Sequence, residues 1–161
     1  MTPDELTKIL RNNPDIVLID DGAPTRPAPV AATLPAPTEH DEQVALFAWA
    51  ALNSSAHPEL SMLFAVPNGG LRHPAVAAML RQEGVKAGVP DICLPVARGG
   101  ANGGKVHHGL FIELKRAGKE GRATPEQQEW IRRLREYGYV AVICHGFVEA
   151  VSAITTYLSL E

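Results

Sequence analysis

At 161 residues the chain is about one domain's worth, long enough to bury a hydrophobic core without disulfides or a structural metal. Apolar residues make up 45% and charged residues 20%, an ordinary globular balance, and no apolar run approaches the ~18 residues that cross a membrane. The net charge of −3 excludes a uniformly basic nucleic-acid binder, yet Arg72 to Arg135 holds 12 Lys or Arg against 6 Asp or Glu, a pattern that fits either a polyanion-binding face or a solvated surface with chance clustering.

Residues 1–21 are expected to form an arm, with a short helix from Thr2 to Asn13 and an extended run from Ile16 to Ile19. This start is polar and lacks the basic head and apolar stretch of a secretory signal, so a cytoplasmic location is expected. Residues 22–37 hold five prolines (Pro24, Pro27, Pro29, Pro35, Pro37) among Ala and Thr, a composition that favours extended chain and marks a linker. The folded body is expected over residues 38–161. Thr38-Glu39-His40-Asp41 has the form of an N-cap with an acid three residues on, which predicts a helix to about Leu52. Met62 to Val66 predicts a strand, and Pro67-Asn68-Gly69-Gly70 a turn. Pro74 opens a second helix that ends at Gly84. Strands are predicted from Asp91 to Val96 and from His108 to Lys115, joined by the glycine-rich stretch Arg98 to Gly104 as a flexible hairpin tip. Thr124-Pro125-Glu126-Gln127 opens another helix and Gly138 ends it. Tyr139 to Cys144 is a strand, and Phe147 to Leu158 an amphipathic helix. The order α-β-α-β-β-α-β-α predicts an α/β fold with a mixed sheet flanked by helices. Cys93 and Cys144 sit in apolar runs and are expected as reduced core residues. Trp49 and Trp130, both on helices, suit packing better than base stacking.

The chemistry lies in Phe111-Ile112-Glu113-Leu114-Lys115-Arg116. Alternate residues of a strand share a face, so Glu113 and Lys115 point one way while Ile112 and Leu114 point into the core. Alone, that pair also fits an edge strand with a solvent-facing ion pair. Asp91 changes the balance. A hairpin folded about Asn102 sets Asp91 against Glu113, each eleven residues from the centre, with backbones about 5 Å apart. Two facing carboxylates repel unless a cation lies between them, and oxygen donors favour Mg²⁺ or Mn²⁺. Lys115 beside them can orient or deprotonate a water, or stabilise charge on a phosphate. His107-His108 has no third ligand near it for a second metal site.

These residues resemble a known superfamily. Pro90-Asp91 followed by Glu113-Leu114-Lys115 resembles the PD-(D/E)xK nuclease motif. Ala65-Val66-Pro67-Asn68-Gly69-Gly70, Gly84-Val85-Lys86-Ala87-Gly88-Val89-Pro90-Asp91-Ile92, Leu110 to Lys115, and Thr124-Pro125-Glu126-Gln127-Gln128-Glu129-Trp130 together resemble the VRR-NUC family over roughly residues 39–158. The resemblance implies a restriction-endonuclease-like domain with metal ligation by Asp91, Glu113 and the Leu114 carbonyl, and Lys115 as catalytic lysine. It also implies an acid on the first helix, four residues before a Gln. That acid is Glu39 ahead of Gln43, preferred here over the neighbouring Glu42. Gln127 matches the last motif, and the reciprocal half of a capping box with Thr124 explains it equally well. Arg72, Arg116, Lys119 and Arg122 are candidate phosphate contacts.

The expected function is therefore Mg²⁺- or Mn²⁺-dependent hydrolysis of DNA. The resemblance suggests branched DNA as substrate, a homodimer acting as a Holliday-junction resolvase, and a bacterial or phage-infected host cell. Two rivals stand beside it: a DNA-structure-binding module of this fold without turnover, and a phage assembly protein with an incidental acidic cluster.

Overall fold

The computed structural model describes residues 36–67, 74–118 and 121–161. The arm, nearly all of the linker, the Asn68-Gly69-Gly70 turn, Arg72 and Lys119 lie outside the described residues.

Helix α1 (Glu39–Asn53) begins where the capping pattern places it: Asp41 N–H donates to Thr38 Oγ1 (3.2 Å) and Thr38 N–H to Asp41 Oδ2 (2.9 Å). It buries Ala45, Leu46, Ala48 and Ala50. A 3₁₀ turn over Pro58–Met62 precedes the two-residue strand β1 (Phe64–Ala65), so the predicted strand from Met62 is shorter at its start. Pro58 at the first turn position fixes a helical φ there, and the chain turns before it extends. Helix α2 (Pro74–Gln82) buries none of its residues.

Strands β2 (Ile92–Leu94) and β5 (Leu110–Lys115) pair antiparallel through Ile92 with Ile112, Cys93 with Phe111 and Leu94 with Leu110. Every pair is symmetric about position 102, the register predicted above. The glycine-rich stretch between them is more ordered than a flexible tip: β3 (Arg98–Gly99) and β4 (Val106–His107) form a small hairpin around a 3₁₀ turn at Ala101–Gly103. Gly99 allows it, because φ is +88° and a Cβ would collide with the Lys105 carbonyl oxygen. Helix α3 (Pro125–Glu136) then leads to β6 (Val140–His145), parallel to β5, and α4 (Phe147–Leu158) closes the chain.

The four-stranded sheet runs β1-β2-β5-β6, so β5 is interior and the edge-strand alternative for Glu113 and Lys115 is excluded. Ile112 and Leu114 join Ile92, Leu94 and Cys144 in a core with Leu46 of α1 and Phe147, Ala150, Ile154 and Tyr157 of α4. The opposite face carries a smaller cluster in which Phe111, Ala141 and Ile143 meet Trp130, Ile131 and Leu134 of α3. Both cysteines are free and buried, and Trp49 packs against the main core. The outer edge of β6 is covered in two places. Arg135 Nε donates to the Ala141 carbonyl (2.8 Å), and His145 N–H donates to Glu149 Oε2 (2.7 Å).

Candidate active site

Asp91 stands at the mouth of β2. Its carbonyl accepts Val66 N–H (2.7 Å) and its Oδ2 accepts Leu114 N–H (3.1 Å), so both neighbouring strands hold it. Strand alternation puts it on the α3 face with Cys93, opposite Glu113 across the register. Glu113 is fully buried. Its Oε1 accepts Lys115 Nζ (2.6 Å) and the Gln127 side-chain amide. Its Oε2 is buried and takes no hydrogen bond from a protein donor. The Asp91 and Glu113 carboxyls are near enough for each to act on the other's ionisation.

Burial drives both acids upward. Glu113 is pushed up to about 7 by desolvation; Lys115 opposes this, and the Asp91 charge adds to it. Asp91 is also raised by desolvation, against the Leu114 N–H and Lys115, with the Glu39 charge as a further upward push. The folded protein therefore binds more protons than the unfolded chain between the ordinary carboxylate value of 4.5 and about 7. Stability from this pair is complete below that window and is lost as pH rises through it. In EDTA, the melting temperature at pH 8 is expected to lie several degrees below that at pH 5, since each pKa unit is worth about 1.4 kcal/mol. Glu113→Gln should flatten the profile. Calorimetry giving identical slopes for the two proteins would show that the pair is not coupled in this way.

The donors fit a small hard cation. An extended residue points its N–H and C=O toward the same edge, so the Leu114 carbonyl lies on the Asp91 side while Lys115 turns its own carbonyl to Gly146 N–H (2.8 Å). Two carboxylates, one of them with an unpartnered buried oxygen, and one carbonyl make an oxygen-only set. Among the described residues no group of three or more His, Cys, Asp or Glu gathers as a metal cluster; such a set leaves room for the waters that Mg²⁺ keeps.

The structure separates the two acids of the first helix. Glu42 is buried, and its Oε2 accepts Phe147 N–H (2.7 Å) at the start of α4, where helix N–H groups lack partners. Glu39 is exposed, and its charge reaches Asp91. Gln43 is half-buried one turn on. Gln127 fills both roles that the sequence offers. Its Oε1 accepts Thr124 N–H (2.8 Å), closing the capping box, while its amide nitrogen turns to Glu113. A Glu at this position would cap the helix equally well but would set a third carboxylate against Glu113. The choice of Gln over Glu in the capping box was the sequence signal for this contact.

Of the candidate phosphate contacts, Arg122 is exposed. Arg116 is half-buried and donates from Nη2 to the Ala36 carbonyl (2.8 Å), fixing the approach to α1. His108 packs edge-on against Tyr139 (centroids 5.6 Å). Sequence reasoning also missed a contact across the site's border: Trp130 Nε1–H donates to the Ala87 carbonyl (3.0 Å).

Comparison with known proteins agrees with this geometry. The VRR-NUC domain family model matches residues 40–148. A solved structure described as a "VRR_NUC domain protein" is 33% identical, with a TM-score of 0.65 over 79% of this chain and 93% of its own. No curated protein matches. A family match over most of the chain, and a structural likeness that spans nearly all of the neighbour, establish that this chain belongs to the VRR-NUC family and has its nuclease-type α/β fold.

Proposed function

We propose that the chain is a Mg²⁺- or Mn²⁺-dependent endonuclease that hydrolyses DNA phosphodiesters, and that it acts on branched DNA as a homodimer of the Holliday-junction resolvase kind. The observation that supports it most is the buried Glu113 Oε2, without a protein donor, beside a second carboxyl and a lysine. Asp91, Glu113 and the Leu114 carbonyl would hold the cation. When bound, it supplies a polarised water and neutralises charge on the phosphoryl oxygens.

The remaining work falls to the chain's own groups. Lys115 Nζ, anchored on Glu113, places a positive charge or a proton where charge grows on the phosphate. Gln127 fixes the Glu113 carboxylate so that Oε2 stays turned away from its other partners. Glu39, with Gln43 behind it on the helix, orders water at the open side of Asp91. Arg72, Arg116, Lys119 and Arg122 contact phosphates and position the DNA without reading its sequence.

One chain offers one site, and symmetric cutting of two strands needs two sites about a two-fold axis. Helix α2 buries nothing and exposes Val76 and Met79, and β1 exposes Phe64. This apolar surface suits a second copy.

The test is a screen of purified protein against duplex, flap, splayed and four-way DNA with Mg²⁺, Mn²⁺ or EDTA. Metal-dependent cleavage, strongest on four-way DNA, is the expected result. Tight binding without product would instead make the protein a DNA-structure-binding module. A strict monomer by analytical ultracentrifugation at working concentration would remove the resolvase version.

A further inference from the structure

The first two turns of α3 touch both halves of the site. Gln127, in the first turn, reaches Glu113. On the other side, the segment before Asp91 lies flat against the same helix. Gly88 has φ +80°, and a Cβ there would meet the Glu126 backbone at 2.7 Å, so only glycine allows this approach. One residue earlier, the Ala87 carbonyl takes the Trp130 indole N–H at 3.0 Å. From Ala87 the chain runs through Gly88 and Val89 to Pro90, which is fully buried, and then to Asp91. A short, tethered segment of this kind transmits the position of its fixed end to the carboxylate that follows it.

We infer that Trp130 is a positioning residue: through its hydrogen bond to Ala87 it sets the distance of Asp91 from Glu113, and with it the affinity of the pair for a divalent cation. The inference rests on the metal-dependent reading above. Trp130 is not one of the residues assigned above to hold the cation. It also packs against the cluster of Ile131, Leu134 and Ala141, so packing and positioning must be separated by experiment.

Trp130→Phe removes the N–H donor and keeps most of the ring. Groups that orient metal ligands from outside change affinity by roughly 10–100-fold when lost. Isothermal titration of Mn²⁺ into the metal-free protein is expected to show about tenfold weaker binding for Trp130→Phe. Cleavage at saturating Mn²⁺ should return close to the wild-type rate, with KM for DNA unchanged. Trp49→Phe, on the opposite face of the sheet, serves as the packing control and should bind Mn²⁺ as the wild type does. Wild-type affinity in Trp130→Phe overturns the inference while leaving the nuclease reading intact. Equal losses of affinity in the two variants overturn it as well, because the effect would then follow general packing. Absence of Mn²⁺ binding in the wild type would be a failure of the nuclease reading itself.

Discussion

Asp91→Asn is expected to lose metal-dependent DNA cleavage by at least roughly 10³-fold, the equivalent of several kcal/mol of transition-state stabilisation, while melting higher than the wild type in EDTA at pH 8. The asparagine oxygen can still accept Leu114 N–H, the contact that seats this side chain at 3.1 Å, so the fold persists. The lost charge has opposite effects on the two states. With metal, one of two anionic ligands is gone. Without metal, Glu113 no longer faces a like charge, and part of its upward pKa shift is relieved. Cleavage and thermal melting measured on the same preparation test both effects. Wild-type turnover in this variant would refute the site.

Lys115→Met should slow cleavage by about 10²–10³-fold, the scale of removing one preorganised donor from where charge develops in a transition state, while Mn²⁺ binding survives. The methionine keeps the unbranched stem that packs near Gly121 and removes only the ammonium. Lys115 holds the Glu113 pKa down through a direct 2.6 Å hydrogen bond. Its loss lets that pKa climb above about 7, so protons compete with Mn²⁺ to a higher pH. The binding profile should therefore shift upward in pH, and the rate should be compared where Mn²⁺ binding is saturated in both proteins. An unchanged rate there would remove Lys115 from the chemistry.

The parts of the site that could be read from the sequence are those fixed by local periodicity. Strand alternation assigns Glu113 and Lys115 to one face, and a covalently short connection restricts β2 and β5 to one register, so the pairing of Ile92 with Ile112 follows from counting. The parts that could not be read depend on remote partners. Glu39 and Glu42 share a helical turn and look alike in sequence; the Phe147 amide that claims Glu42 lies 105 residues away. The β3-β4 hairpin reads as a loose tip because its strands are two residues long. It is braced by Ala101 N–H on the carbonyl of Glu161, at the far end of the chain (3.2 Å). Trp130 carries a packing signal in its helical position, and nothing near it in sequence announces the Ala87 carbonyl. The candidate site is thus half local pattern and half tertiary contact, and α3 joins the two halves.

The side chains lying over β6 bear on how copies of this protein can meet. An open strand invites a foreign strand to add to it, and this one is six residues long and rich in valine and isoleucine. With Arg135 on one outward carbonyl and Glu149 on one outward amide, an incoming strand would have to displace two charged groups before it gained its first ladder bonds. That flank of the molecule is guarded against runaway fibre-like stacking.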